Sequence, residues 1–285
     1  MYVHLEQYLR PASVAEALAA LGPGAALLAG GTELNVQGHE RLERVVDIQA
    51  LGLEGLKAGS ASLELGARMT LDGLLKSGLP RALGALLEAA SGERNRALRN
   101  ASTLGGRACR NQSDARILTA LLALDARATR QRVGDAAPSQ VGVAELMEES
   151  AGDAGDMRLV TALSIGLETE RSCYLDFGLT AVDRPYVDVA VALARVGGRA
   201  RVRIATGGHA ADATGVVRLP GCESYLESLL DSGEGLAGGA ELARRAREEA
   251  PAFSCARASG GYRQDLTGTL VTRAIERCLG IGEGS

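Results

Sequence analysis

The chain has 285 residues, 46% of them hydrophobic, with 35 acidic against 31 basic side chains and a formal net charge of −4. That length can bury a substantial core as one large domain or two to three smaller ones, and the near-balanced charge draws the molecule neither to nucleic acid nor to an acidic membrane surface. Aromatic residues are only 3% and Trp is absent, which leaves few stacking platforms for single-stranded nucleic acid.

The opening Met1 to Glu6 lacks the basic start and apolar run of a secretory leader, and no stretch reaches spanning length. A cytoplasmic protein with no membrane partner is the expectation. Residues Pro11 to Leu21 predict an amphipathic helix: Ser13 can cap it, Glu16 sits at the capping-box distance, and Val14, Ala17, Leu18 and Leu21 share a face. Pro23 and Gly24 end it. A short apolar strand, Ala25 to Ala29, runs into Gly30-Gly31-Thr32, and a second, Arg44 to Ile48, follows a polar helical segment, giving a small β-α-β start. Leu63 to Ala67 alternates like a strand, and Thr70 to Lys76 and Arg81 to Ala90 read as helices separated by Gly78 and Pro80. Between Arg94 and Asp114, five arginines (94, 96, 99, 107 and 110) crowd around Thr103-Leu104-Gly105-Gly106, which suits an anionic ligand, although a solvated charged face explains them equally well. The apolar run Ile117 to Ala128 fits a buried strand or a helical turn followed by a strand. Gly152 to Gly155 marks a boundary, beyond which strands at Arg158 to Leu167 and Arg199 to Thr206 precede helices at Leu236 to Glu249 and Tyr262 to Cys278.

Few residues invite metal or nucleophile chemistry. The five cysteines lie far apart without metal or iron–sulfur spacing and read as reduced, mostly buried thiols, and the three histidines are scattered. The glycine pairs are more informative. A pyrophosphate is commonly held by backbone N–H donors in tight turns where a side chain would obstruct close approach. Both Leu27-Leu28-Ala29-Gly30-Gly31-Thr32-Glu33-Leu34 and Thr103-Leu104-Gly105-Gly106 place a hydroxyl beside two glycines at what reads as a strand end. With 37 glycines in the chain, either pair alone is a weak signal.

Their order with other motifs is specific. Tyr8-x-Arg10-Pro11 with Glu16-Ala17, Leu28 to Leu34, Val46-Asp47-Ile48, Leu65-Gly66-Ala67, Arg99-Asn100-x-Ser102-Thr103-Leu104-Gly105-Gly106, and Arg257-Ala258-Ser259 with Tyr262-Arg263 together resemble the FAD subunit of molybdenum hydroxylases, over nearly the whole chain. The resemblance implies an α+β, PCMH-type FAD-binding fold. Two α/β subdomains, about 1–52 and 53–155, form the flavin domain, and 156–285 forms an antiparallel sheet with a helical bundle. It implies FAD contacts at Leu27, Leu28, Ala29, Gly30, Gly31, Thr32, Glu33 and Leu34, at Thr103, Leu104, Gly105, Gly106 and Arg107, and at Asp114, Leu159 and Asp176. Three departures from the family pattern stand out: Arg107 where Asn is usual, a loop to Asp114 about two residues short, and Tyr174-Leu175-Asp176 where the family has an aromatic-x-Lys. The implied function is electron relay, from a molybdopterin-binding large subunit through a 2Fe-2S small subunit to FAD here, and on to NAD, a quinone or oxygen. The chain has no ferredoxin-type cysteine run and no room for a molybdopterin domain, so no hydroxylation is expected of it alone. A flavin-less scaffold subunit and a free-standing flavoprotein oxidoreductase are the alternatives.

Overall fold

The structure, a computed structural model, describes residues 4–34, 42–109, 115–151, 157–180, 182–209, 215–233 and 239–281. It opens with strand β1 (Gln7–Leu9), helix α1 (Val14–Ala19) and strands β2 (Ala25–Leu28) and β3 (Arg44–Asp47). Helix α1 starts where the sequence says it should, because the Ser13 side chain accepts from the Glu16 amide while Glu16 accepts from the Ala12 amide. The three strands form a parallel sheet in the order β1-β3-β2. Ala17, Leu18 and Leu21 of the helical arm, Val46 and Ile48 of the β3 end, and Leu159 make the core beneath it. The polar helix expected between β2 and β3 falls outside the described residues.

The chain continues through β4 (Leu56–Ala58), β5 (Ser62–Gly66), α2 (Leu71–Lys76), α3 (Gly84–Gly92), α4 (Arg96–Ala101), α5 (Leu104–Cys109), α6 (Arg116–Ala123), β6 (Arg127–Arg132), β7 (Ser139–Gly142), α7 (Val143–Ala151) and β8 (Arg158–Gly166). The apolar run after residue 116 therefore resolves into a buried helix and a strand, and Asp125, with φ 52, turns the chain between them. Strands β4-β5-β8-β6-β7 form a second sheet in that order. Then come β9 (Thr169–Phe177), β10 (Val187–Val196), β11 (Arg199–Gly207), β12 (Val217–Arg218), α8 (Pro220–Ser232), α9 (Gly239–Glu249) and α10 (Gly260–Leu279). The antiparallel sheet β12-β11-β10-β9 is the third. This is the mixed α+β architecture expected from the motif order, with a small parallel sheet, a larger sheet with helices, and a C-terminal antiparallel sheet with a helical layer.

Two compact units emerge, interleaved in sequence. The first comprises Met1–Ser77, Asn95–Arg110 and Arg127–Ile165, and carries the first two sheets. The second comprises Gly78–Arg94, Asn111–Ala126 and Gly166–Ser285. Its core lies between the sheet and α8, α9 and α10, where Val187, Val189, Val191, Val202 and Ile204 meet Leu226, Leu242, Val271 and Ile275. Helices α3 and α6 pack on the same sheet. Covered in this way, β10 is buried at every position from Val187 to Ala194, which removes the alternation by which a half-exposed strand shows itself. Strand β10 was accordingly not among the elements expected from the sequence, and β9 and α8 were not among them either.

Candidate cofactor-binding site

The first unit brings together the two glycine segments that lie some seventy residues apart in sequence. Strand β2 ends at Leu28, and the chain reaches Gly30 so close to the end of α4 that a Cβ there would lie 1.7 Å from the Ala101 carbonyl oxygen and 3.5 Å from Thr103 Cγ2. Gly31 follows with φ 72, a left-handed conformation open to glycine at little cost. The Ser102 hydroxyl, 1% exposed as a residue, then stands 3.5 Å from the Thr32 hydroxyl, and Arg107 donates from Nη2 to Ser102 Oγ at 3.0 Å. Leu27 and Ala29 pack on the core that contains the fully buried Leu159, and Leu28 packs with Leu34 on its own small cluster. The loop is thus pinned from below by apolar side chains while Gly30 to Glu33 stay partly exposed.

The two segments differ in what they can offer a ligand. Thr103 to Gly106 was expected at a strand end; instead Leu104 and Gly105 open helix α5. The Leu104 amide donates to Met69 O, the Gly105 amide to Ala67 O, the Gly106 amide to Thr103 Oγ1 and the Arg107 amide to Thr103 O. A Cβ on Gly105 would lie 2.7 Å from Ala67 Cβ and 2.9 Å from Ala67 O, so this glycine is required by packing against the Leu65-Gly66-Ala67 motif. By contrast, the amides of Gly30, Gly31 and Thr32 have no hydrogen-bond acceptor among the described residues. Three neighbouring backbone donors, the Thr32 hydroxyl and a guanidinium form a set that fits a diphosphate.

Other residues singled out by the sequence lie elsewhere. Leu159, 1% exposed, belongs to the core under the first loop. Asp114 lies outside the described residues, as does Arg110. Asp176 is on β9 in the second unit, where its carboxylate pairs at 3.2 Å with Nε of Arg116, whose side chain is 7% exposed. Arg116 also donates from Nη2 to the Asp183 carbonyl at 2.8 Å, tying α6 to the β9–β10 connection. These residues, with Tyr174, Arg94, Glu88 and Arg277, line an open polar cleft of about 450 Å³.

The remaining motifs have structural work. Tyr8 donates to Asp47 at 2.6 Å and Arg10 pairs with it at 3.3 Å, joining the first motif to the third. Ser259 caps α10 through the Tyr262 amide, and Arg263 donates to the carbonyls of Tyr186 and Gly208, while Arg257 donates to Arg184 O at 2.6 Å. Ala101 and Ser102, which close the seam between the glycine segments, were not expected as site residues. Ser102 did carry a signal, as a named residue of the Arg99-Asn100-x-Ser102-Thr103 motif, whereas Ala101 is the unspecified position of that motif.

Comparison with known proteins points the same way. Residues 4–165 match the family model for the FAD binding domain in molybdopterin dehydrogenase. The chain is 37% identical over 128 residues to the xanthine dehydrogenase FAD-binding subunit of Escherichia coli O157:H7, a match covering 42% of this chain and 44% of that protein. The matched segment thus spans less than half the length of that curated relative. Among solved structures, quinoline 2-oxidoreductase from Pseudomonas putida 86 superposes with a TM-score of 0.82 at 20% identity, covering 99% of both chains. Carbon monoxide dehydrogenase from Hydrogenophaga pseudoflava gives 0.79 at 20% identity, again over 99% of both chains. At that identity the structural likeness establishes the fold. Among the described residues, no helix is long and apolar enough to cross a membrane, and no cluster of three or more His, Cys, Asp or Glu could hold a metal ion.

Proposed function

The chain belongs to the family of FAD binding domains in molybdopterin dehydrogenases, and from that premise we propose that it binds FAD as the electron-transfer subunit of a molybdenum hydroxylase. The observation that carries the reading is the convergence of the two glycine segments, which leaves the Gly30, Gly31 and Thr32 amides beside the Thr32 hydroxyl and Arg107. In this reading Gly30 to Thr32 hold the FAD diphosphate, Leu27 to Ala29 and Glu33 to Leu34 shape the turn that presents those amides, and Thr103 to Gly106 brace it through Ala67. Leu159 supports the turn from the core. Asp114 and Asp176 are proposed flavin-side contacts by motif position. Bound FAD supplies a carrier that accepts electrons singly and releases them as a pair.

The proposed partners are a molybdopterin-binding large subunit and a 2Fe-2S small subunit, with NAD, a quinone or oxygen as final acceptor. The E. coli relative is named as a xanthine dehydrogenase subunit, which makes a comparable hydroxylase complex the natural setting here. The test is direct. Purified chain, dialysed against FAD and freed of excess, should show flavin absorption at stoichiometric occupancy, and reduced partner iron–sulfur protein should bleach it. A chain that stays colourless after dialysis favours the scaffold alternative. Substrate hydroxylation by this chain alone overturns the relay.

A further inference from the structure

We propose that the Tyr8 ring, pinned through its hydroxyl to Asp47, is the platform on which the adenine of FAD stacks. The inference rests on the FAD reading above and extends it to the adenosine half of the cofactor, for which neither glycine segment supplies an aromatic side chain. It starts from the parallel sheet. In an open parallel sheet a ligand lies beyond the carboxyl ends of the strands, and the Gly30–Thr32 turn leaves β2 at that end. The register sets Leu28, the last residue of β2, beside Asp47, the last residue of β3. On the other side of β3, Tyr8 is paired with Val45, two residues short of Asp47, yet its hydroxyl donates to Asp47 Oδ2 at 2.6 Å. The side chain therefore leans about 7 Å along the strands toward their carboxyl ends. Strand β1 is two strand spacings, about 10 Å, from β2, a span that a ribose and its base cover when extended from a diphosphate. The FAD reading gives the flavin end to Asp114, which follows the second glycine segment in sequence, and so leaves the β3 side of the turn to the adenosine.

The ring is both fixed and open. Asp47, 1% exposed, accepts from the Gln49 amide on Oδ1 and from the Tyr8 hydroxyl on Oδ2, where Arg10 Nε also pairs at 3.3 Å. The anchor of the hydroxyl is thus itself held at both oxygens. Tyr8 is nevertheless 54% exposed, and with its hydroxyl against a buried carboxylate the area left open is largely ring. A ring ordered in advance loses little rotamer freedom when a base settles on it, and one base on one aromatic face is worth a factor of about ten in affinity. Tyr8-x-Arg10-Pro11 and Val46-Asp47-Ile48, two motifs far apart in sequence, meet at this one place.

The experiment titrates the apo chain with FAD and, in competition, with ADP, which carries the adenosine and the diphosphate without the flavin. The variants are Tyr8→Ala, which removes the ring, and Tyr8→Phe, which keeps the ring and loses the bond to Asp47. Apo-protein thermal unfolding is followed in parallel. The expected result is a loss of about tenfold in affinity for FAD and for ADP alike in Tyr8→Ala, with most of it recovered in Tyr8→Phe. Wild-type affinities in Tyr8→Ala, or a loss for FAD that ADP does not share, overturn the inference. Equal losses in the two variants also overturn it, because they place the effect in the hydroxyl bond rather than in the ring. If Tyr8→Ala fails to fold, Tyr8→Leu takes its place: a loss shared by both ligands supports the platform, and wild-type affinities overturn it. A wild-type chain that binds FAD but from which no concentration of ADP displaces it overturns the inference as well. A wild-type chain that takes up no FAD at all overturns the flavin reading itself, a result distinct from all of these.

Discussion

The glycine seam of the first unit and the polar core of the second are ordered by different forces. In the seam, position is set chiefly by backbone sterics, with two hydroxyls and the Arg107 guanidinium beside them: Gly30 against Ala101 O, Gly31 at φ 72, Gly105 against Ala67, Ser102 against Thr32 and Arg107. In the second unit it is set by charges and titratable groups inside the fold. Arg116 holds Asp176 and Asp183 O, Arg263 gathers the Tyr186 and Gly208 carbonyls, and His209 is buried between Thr206, Thr267 and Pro251. A sterically ordered region fails when atoms are added. One ordered by buried charge fails when protons are added or a partner is removed.

The sharpest way to break this contrast is to add atoms at Gly30. Gly30→Val places carbon where Ala101 O already stands, so either the loop or the end of α4 must move. The expected cost exceeds about 3 kcal/mol, read as loss of the first unit's cooperative transition in urea. A Gly30→Val protein with wild-type stability would mean that the seam is pliable and that sterics do not set it.

Adding protons should strike the other unit. Burial, reinforced by Arg263 and opposed by the bond to Pro251 O, pushes the His209 pKa down to about 4. The folded state therefore keeps the ring neutral while the unfolded chain binds a proton near pH 6.5, so this contribution is complete above pH 6.5 and is lost as pH falls toward 4. The loss amounts to roughly 3 kcal/mol. In the first unit, burial of Glu149 is outweighed by Arg130, Arg132 and Arg158, which hold its carboxyl below the ordinary value. That contribution is present above the ordinary Glu range and fades only below it. Between pH 6.5 and about 5, hydrogen exchange should consequently quicken in β11 and α10 while β2 and β3 stay protected, and His209→Gln should flatten the response. Equal loss of protection in both units over that window would erase the distinction.

A smaller effect is expected at Asp176. Asp176→Lys sets a cation beside the nearly buried Arg116 and should destabilise the second unit by about 2 kcal/mol, whereas Asp176→Asn should cost about half as much. The urea midpoint measures both. Should the Lys variant be as stable as the wild type, the Arg116 ion pair contributes nothing and the charge-ordered description of the cleft is wrong.

The same contrast explains what could be read from the sequence. Steric requirements leave local marks: Gly30-Gly31, Gly105-Gly106 and the Ser13 capping box each announce themselves within a few residues, and α1 and β2 stand close to where periodicity puts them, although Thr103 to Gly106 leads into helix α5 rather than closing a strand. The reason for Gly105 was nevertheless not local, because its neighbour Ala67 lies nearly forty residues away. Charge pairs leave no such mark. Arg116 and Asp176 are sixty residues apart, so nothing near Tyr174-Leu175-Asp176 reveals that the carboxylate is already neutralised. Strand β10 was hidden for a related reason: buried on both faces, Val187 to Ala194 carries no alternation to read. Nor does chain order show that residues 78–94 and 115–126 pack with the C-terminal segment.

The smallest effect is the most discriminating, and it concerns Gly31. Its φ of 72 predicts that Gly31→Ala loses about 1 kcal/mol of stability, because a Cβ is strained in the left-handed region, whereas Asn tolerates that region better than Ala. If backbone conformation were the whole reason for glycine here, Gly31→Asn would outperform Gly31→Ala in both thermal midpoint and FAD affinity. If the turn also lets a diphosphate approach the backbone, the two measurements must part, since Asn relieves strain but presents a larger side chain to the ligand. The expected order is Gly, Asn, Ala for stability and Gly, Ala, Asn for FAD affinity, measured by apo-protein melting and flavin titration on the same preparations. Parallel orders in both assays would confine Gly31 to shaping the turn and place the diphosphate away from its amide.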